Sequence, residues 1–292
     1  MRIVLRSFLE KLYQKSFEDD IFSSAAQVAF YFSFAIFPLL LFLVTLFGIV
    51  LGSAHSFRTD LYAYLGQIMP ISAFELVRAT IEEVAEHSSG GKLTLGLLIA
   101  LWSASAGVDS LRIALNRVYD YEETRSWWFT KTISITFTFV LTLLITIALA
   151  LIFYGWRFVS FLFSMISISV TSPVFLVIIE WAITLGVLLV IFEILFNILP
   201  DRRPFRWFWI TPGATVGIVL WLLLSTGLKT YLQYFNTYDR TYGSIGAVII
   251  LMLWLYLTAL VILVGGIINS IMEEFKSKTA GEIQSEAVDE SE

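Results

Sequence analysis

Two ionisable side chains and an amide lie on one helical face in an otherwise apolar stretch. Asp109 and Arg112 are three residues apart, and Asn116 follows four residues later. At this spacing the three side chains share one face of a helix. An ionisable group at the centre of a membrane helix costs roughly 2.5–3.5 kcal/mol, so such groups are usually paired, hydrated or functional. The spacing indicates either an intrahelical ion pair that eases insertion and holds a neighbouring helix, or an anion site or gating pair facing a water-filled cavity.

A carboxylate and an amide also lie within the apolar segment Val174–Leu199. Glu193 and Asn197 are four residues apart and share a helical face. A proton- or cation-coupled transporter would use such a carboxylate. The interpretation that we favour is that Glu193 is the partner of Arg112 and balances its charge in the inner half of the helix bundle.

A further set of donors is predicted just before the last apolar segment. Tyr242, Gly243 and Ser244 open this segment. The first backbone N–H groups of a helix have no partner within the helix and can bind an anion. We expect these three residues to supply such groups on the outer side.

Catalytic and metal-binding patterns are absent from the sequence. There are no cysteines, and the only histidines, His55 and His87, are not spaced as metal ligands. No Walker A or GxSxG motif occurs. The net charge of −5 disfavours nucleic acid as a partner. The sequence therefore predicts a protein that is not an enzyme, with no catalytic residue, cofactor or metal.

The elements that must position these side chains are predicted to be transmembrane helices. Hydrophobic residues make up 58% of the 292 residues and charged residues 15%, whereas a soluble domain carries about 25% charged residues. A helical span needs about 20 mostly apolar residues. Six segments qualify: Ala26–Leu51, Leu93–Val118, Thr132–Tyr154, Val174–Leu199, Phe208–Tyr231 and Ser244–Met272. We predict an all-α, polytopic membrane protein with six transmembrane helices.

The distribution of lysine and arginine sets the orientation of these spans. With a cytoplasmic N-terminus, twelve of the 19 Lys and Arg residues fall in inner segments and six in outer segments, while Arg112 lies within a span. Inner loops of membrane proteins carry the excess of Lys and Arg. We therefore predict a multi-pass membrane protein with both termini in the cytoplasm.

Three parts of the chain are predicted not to span. Residues 1–20 form an amphipathic helix that lies either on the cytoplasmic interface or packed under the bundle. Within the membrane domain, 21–272, the segment 53–90 carries two apolar stripes separated by Pro70 and predicts an outer helical hairpin. The acidic tail, 273–292, has almost no apolar residues and is expected to be disordered.

Several fragments together resemble one family. They are "FAIFPLLLF", "LWSASAGVDSLRIALNRVYD", "LPDRR", "TPGATVGIVLW" and "YGSIGAVIILMLWLYLTALVILVGGIINS". In this order, from about residue 25 to 272, they resemble the YihY/BrkB family of bacterial inner-membrane proteins. The resemblance implies six transmembrane helices, and some members of the family have carried the label ribonuclease BN. The matching positions that we single out are Asp109, Arg112, Asn116, Pro200, Tyr242, Gly243, Gly246 and Asn269.

Taken together, the residues and the resemblance predict a transporter or flippase-like protein for an anionic, amphiphilic or lipid-like substrate, with membrane lipids as partners. Arg112 would recognise the anion and Asp109 would orient Arg112. The alternative is a structural or assembly factor of the envelope that does not transport. A continuous polar cavity that reaches Arg112 would favour transport, whereas a dry, filled core would favour the scaffold.

Overall fold

All regular structure in the described part of the chain is helical. The computed structural model describes residues 2–35, isolated residues between 59 and 82, 90–144 and 147, 173–202, 207–234, and 244–289. Seven helices are found there: α1 Arg2–Glu18, α2 Ile21–Ala35, α3 Gly90–Val118, α4 Trp127–Leu144, α5 Pro173–Ile198, α6 Pro212–Tyr234 and α7 Ser244–Asp289. The predicted all-α class is confirmed.

Four of these helices are long and apolar enough to cross a membrane. The stretches that qualify lie in the last four helices: Trp127–Leu144, Trp181–Ile198, Pro212–Leu232 and Val248–Phe275. Helix α2 is apolar but shorter, and α3 is not among the four. The six-span count therefore stays a prediction. The end of the first predicted span, 36–51, and most of the predicted hairpin, 53–90, lie outside the described residues.

The centre of the bundle is the crossing of α6 with α7. A methyl group at Gly213 would overlap the carbonyl oxygen of Gly265 and lie 2.7 Å from Cγ of Asn269. One turn later, a methyl group at Gly217 would lie 2.6 Å from the ring of Phe192 on α5. Only glycine allows backbones to approach this closely. The GxxxG pattern formed by Gly213 and Gly217 therefore serves close packing of α6, against α7 at Gly213 and against α5 at Gly217.

Helix α1 packs against α7 with one face only. Lys11 Nζ lies 2.7 Å from Glu274 Oε1 and 5.1 Å from the centre of the Phe275 ring. The opposite face exposes an apolar stripe at i, i+4 and i+8: Leu9, Tyr13 and Phe17. One face of α1 thus packs against the bundle, as one predicted placement requires. The other face exposes apolar side chains, as the predicted interfacial placement requires.

The chain beyond the last predicted span is helical, in contrast to the disorder that its acidic composition predicts. Helix α7 continues to Asp289. Residues 273–289 contain Glu, Lys, Ala and Gln, which favour helix, and no proline that would end it. The low apolar content argues against burial of this segment, but it does not oppose helix formation.

One end of the bundle brings together segments that are far apart in sequence. We call it the loop end and define it by the connections 119–126 and 199–202. Lys15 on α1 pairs with Asp120 at 2.5 Å. Thr124 Oγ1 donates to Asp201 Oδ2 at 2.6 Å. The loop end therefore holds the end of α1, the α3–α4 loop and the turn after α5 together.

Candidate functional site

The guanidinium of Arg112 is buried at the loop end, with only 7% of the residue exposed. Its Nη1 donates to Glu123 Oε2, and its Nη2 forms an ion pair with Asp109 Oδ1 at 3.8 Å. The pairing with Asp109, expected from their spacing, is thus observed. The predicted pairing with Glu193 is wrong, and the main partner is Glu123, which sequence reasoning missed.

The carboxylate of Glu123 is a shared acceptor for three side chains. Besides Arg112, Asn116 Nδ2 donates to Oε2 at 3.0 Å. Arg125 donates through Nε to Oε1 at 2.6 Å and through Nη2 to Oε2 at 2.9 Å. Burial alone would raise the pKa of Glu123, but the hydrogen bonds and charge of Arg125 and the charge of Arg112 outweigh it and hold this pKa below its ordinary value. Glu123 is therefore a stable anion.

Asp109 connects α3 to α4. Lys131 Nζ lies 2.9 Å from Asp109 Oδ2, and Ser134 Oγ donates to Oδ1 at 2.5 Å. The ammonium of Lys131 also lies over the Trp102 ring, 4.7 Å from its centre. Asp109 is thus shared between Arg112 and α4, so it does more than orient its helical neighbour.

Asp201 closes the cluster from the turn after α5. Its Oδ2 accepts from the Thr124 backbone N–H at 2.9 Å, and its own N–H donates to Asn116 Oδ1 at 2.8 Å. Arg125 Nε lies 3.7 Å from Asp201 Oδ1, and Arg125 Nη2 donates to the Leu199 carbonyl at 2.9 Å. Asn116 therefore connects α3 to the α3–α4 loop through its Nδ2 and to the turn after α5 through its Oδ1.

These contacts form one charge-balanced cluster, which we call the loop-end network. Its members are the carboxylates Asp109, Glu123 and Asp201 and the cations Arg112, Arg125 and Lys131. Hydrogen bonds to charged groups are roughly twice as strong as neutral ones, and a partly buried cluster is screened less by salt than surface pairs. The network is therefore suited to hold the loop end closed.

Glu193 has a different task from the one that the sequence predicts. Its Oε1 accepts from the Thr211 N–H at 2.6 Å and from Thr211 Oγ1 at 3.1 Å. Thr211 caps α6, because its Oγ1 accepts from the Ala214 N–H at 3.2 Å. The Gly213 N–H donates to Asn269 Oδ1 at 2.7 Å. Glu193 and Asn269, both predicted anion-site residues, thus organise the start of α6 and leave its first amides satisfied.

The small residues before Asp109 contribute to packing. A methyl group at Gly107 would lie 3.2 Å from the Phe32 ring, and Ser105 is fully buried with its Oγ donating to the Trp102 carbonyl at 2.6 Å. These contacts fill the space beside α3 at this level and do not support the polar cavity that transport through Arg112 was expected to need. Tyr242 and Gly243, and the side chain of Ser244, lie outside the described residues, so the donors predicted there stay a prediction.

Exposed aromatic side chains surround the loop end. Trp127 and Trp128 at the start of α4 are 58% and 73% exposed, and Trp209 just before α6 is 81% exposed. Tryptophan is enriched where membrane proteins cross from hydrocarbon to water. Three exposed tryptophans thus lie at the same end of the helices as the loop-end network. Within the described ranges, no group of three or more His, Cys, Asp or Glu side chains is placed to hold a metal ion.

Comparison with known proteins places the chain in a family. The model of the family described as virulence factor BrkB matches residues 12–290. The chain belongs to this family. It is 32% identical over 273 residues to YfkH of Bacillus subtilis (strain 168), a protein named as ribonuclease-like, with 92% of this chain and 96% of YfkH covered.

Other relatives in the BrkB family are longer. The chain is 26% identical over 287 residues to the UPF0761 membrane protein Smlt0865 of Stenotrophomonas maltophilia (strain K279a), and 25% identical over 282 residues to XAC0937 of Xanthomonas axonopodis pv. citri (strain 306). It spans 62% of the length of each. No solved structure matches the chain. The family and its membrane character are thus established.

Proposed function

We propose that this BrkB-family protein is a transporter or flippase-like protein of the inner membrane for an anionic, amphiphilic substrate. The observation that carries the proposal is the loop-end network, in which the guanidinium groups of Arg112 and Arg125 are buried among carboxylates. In the proposed topology they lie at the level of the lipid headgroups. Guanidinium groups bind carboxylates and phosphates through paired hydrogen bonds. No catalytic role is part of the proposal.

The positions of the helix ends support a six-span topology for this transporter. Helix α2 begins at the loop end, where Arg117 Nη1 donates to Ser24 Oγ at 3.3 Å. Helix α3 ends there and α4 begins there, α5 ends there and α6 begins there, and α7 reaches it at Glu274. Six helices that alternate in direction are compatible with six membrane crossings. In that arrangement α1, the α3–α4 loop and the end of α7 lie on the same side of the membrane. The Lys and Arg distribution assigns that side to the cytoplasm.

In this proposal the loop-end network is a gate on the cytoplasmic side. The ion pairs link α3 to the α3–α4 loop and to α4, and they link the loop to the turn after α5. They must therefore separate before a headgroup can pass between these elements. An anionic headgroup can drive the separation because it replaces Glu123 as the main partner of Arg112, which keeps its ion pair with Asp109. Asp109 is held in turn by Lys131 and Ser134 on α4.

An envelope scaffold that does not transport is the second candidate. It is supported by the backbone contact between Gly213 and Gly265 and by the packing of Gly107 against Phe32, which leave little room between helices. In that case the loop-end network fixes the α3–α4 loop permanently.

Reconstitution into liposomes distinguishes these functions. Inward and outward movement of a fluorescent anionic lipid is measured for the wild type and for Arg112→Gln/Glu123→Gln, which removes one pair without changing net charge. The control is Arg6→Gln/Glu10→Gln, which removes an exposed pair with side chains 83% and 59% exposed. We expect translocation by the wild type and the control, and an altered rate in the Arg112/Glu123 variant. No wild-type rate above empty liposomes, across several anionic lipids, would favour the scaffold.

A further inference from the structure

The loop-end network contains a carboxylate that is bound like a ligand. We infer that Arg112, Arg125 and Asn116 form a binding site for a phosphate-type anion, and that the Glu123 carboxylate occupies this site as a removable internal anion. The inference names the ligand chemistry of the site in the proposed function. It rests on that function only where a lipid headgroup is considered as one source of the anion.

The donors are buried, whereas the acceptor is more exposed. The side chains of Arg112 and Arg125 are 8% and 9% exposed, and that of Glu123 is 27% exposed. Both oxygens of Glu123 receive charged or amide donors from these residues. A buried set of donors around an acceptor that faces outward is the arrangement of a binding site with its ligand in place.

The donors are held by contacts that do not involve Glu123. Asn116 is fixed by the Asp201 N–H, and Arg125 by the Leu199 carbonyl. Arg112 retains its ion pair with Asp109. If Glu123 withdraws, the donors therefore remain in place. Without Glu123, the network carries three cations against two carboxylates, so the empty site has a net positive charge that favours an incoming anion.

One buried donor of the site has no acceptor. Arg112 Nε has no hydrogen-bond partner among the described residues, although the guanidinium is buried. An unsatisfied buried donor costs free energy. A carboxylate and a lipid phosphodiester each offer two terminal oxygens and one negative charge, whereas inorganic phosphate offers more acceptor oxygens and more charge. Inorganic phosphate therefore has a spare acceptor for Nε, and a phosphodiester can replace the two oxygens of Glu123.

Glu123 can leave the site without unfolding a helix. It lies in the 121–126 stretch between α3 and α4, which has no regular secondary structure. The site lies at the level of the exposed Trp127 and Trp128, where phosphodiester headgroups of lipids are found. A lipid headgroup and a free phosphate ion share the chemistry that the donors recognise, so the experiment tests both.

The experiment uses the full chain in nanodiscs of phosphatidylcholine. Binding of inorganic phosphate is measured by calorimetry at constant ionic strength for the wild type, Glu123→Gln and Glu122→Gln. Glu122 is the exposed neighbour in the same loop, so Glu122→Gln removes the same charge without opening the site. In a second arm, phosphatidylglycerol replaces part of the phosphatidylcholine, and the rise in melting temperature is compared among the same variants.

We expect Glu123→Gln to bind phosphate at least about tenfold more tightly than the wild type or Glu122→Gln, because a charge-assisted acceptor no longer competes. The gain should disappear in Glu123→Gln/Arg125→Gln. A gain in the phosphate arm alone supports a site for a soluble anion, and a gain in the phosphatidylglycerol arm supports a headgroup site. Equal affinities in Glu123→Gln and Glu122→Gln, or a gain that survives the loss of Arg125, would overturn the inference.

Amide exchange in the wild type tests the same inference if Glu123→Gln does not fold. The Arg125 N–H donates to Glu123 Oε1 at 3.2 Å. Displacement of Glu123 by phosphatidylglycerol should speed exchange at this amide relative to phosphatidylcholine, and unchanged exchange would count against the site. Lipid binding without translocation would refute the proposed transport and leave the site intact, whereas translocation without any anion binding would refute the site.

Discussion

The partnership of Arg112 with Glu123 can be measured by a double-mutant cycle. The perturbations are Arg112→Gln, Glu123→Gln and both together. Removing one partner of a buried pair costs on the order of 3–5 kcal/mol, since the other charge is left buried without its partner. The Glu123 side chain is 27% exposed, so water compensates part of this loss. We therefore expect Arg112→Gln to lower the free energy of unfolding by about 2–3 kcal/mol.

The second mutation should cost much less once the first is present. Residues in direct contact show coupling energies of about 0.5–3 kcal/mol, and we expect the upper half of that range for Arg112 with Glu123. The control cycle pairs Arg112→Gln with Glu193→Gln. Glu193 contacts Thr211 and Asn197 instead, so its coupling to Arg112 should stay within about 0.5 kcal/mol.

The assay is unfolding of the purified chain in mixed micelles, followed by tryptophan fluorescence. Each variant is compared at the same detergent composition, so that differences report the mutation alone. A coupling of Arg112 to Glu193 that equals or exceeds its coupling to Glu123 would refute the pairing described here and restore the one that the sequence predicts.

Three further predictions concern the crossing of α6 with α7, the start of α2 and the topology. Gly213→Ala should lower the unfolding free energy by more than about 3 kcal/mol or prevent folding, whereas Gly186→Ala, with no atom within 4 Å of the added methyl group, should not; unfolding curves of both test this. Burial raises the pKa of Asp19 from 3.8 to about 6, because the charged carboxylate loses its hydration in the folded protein. The protonated form of Asp19 therefore favours the folded state, and this contribution is fully present below pH 4 and is lost as pH rises through 6. Asp19→Asn should therefore stabilise the protein at pH 7.5 by up to about 3 kcal/mol and leave it unchanged near pH 4, as melting temperatures at both pH values will show. A single cysteine at Glu122 should react with an impermeant maleimide only after the cytoplasmic face is opened, and labelling of intact cells would reverse the topology.

The sequence predicts the helices best where apolar residues run without interruption. The predicted segment Val174–Leu199 corresponds to α5, Pro173–Ile198, and the last segment begins at Ser244 as predicted. The fifth segment begins later than hydropathy suggests, at Pro212, because Thr211 caps the helix and proline fits the first helical position. That signal was present in the sequence, but apolar content alone cannot show it.

The site was only half predictable for a related reason. Helical spacing places Asp109, Arg112 and Asn116 on one face, and the network uses all three. Glu123 and Asp201 lie in connections whose folding no periodicity describes, so no pattern in the sequence singles them out. Glu193 was paired with Arg112 on grounds of charge balance, and that argument cannot distinguish between carboxylates at similar depth.

The location of Arg112 resolves why a charged pair stands in an apolar helix. Arg112 is six residues from the end of α3 at Val118, which is about 9 Å along the helix. A long arginine side chain bridges much of that distance, and Glu123 folds back from the loop to meet it. In the six-span topology proposed above, the charge would therefore not lie at the centre of the bilayer, and the cost of insertion would be smaller than its position in the sequence suggests. Stability alone still does not account for the arrangement, since a buried ion pair is often no better than well-packed apolar residues. An incoming anion can compete with the carboxylates of an ion-pair network for its cations, whereas it cannot compete with an apolar contact. A network of ion pairs can therefore be opened by an anionic substrate.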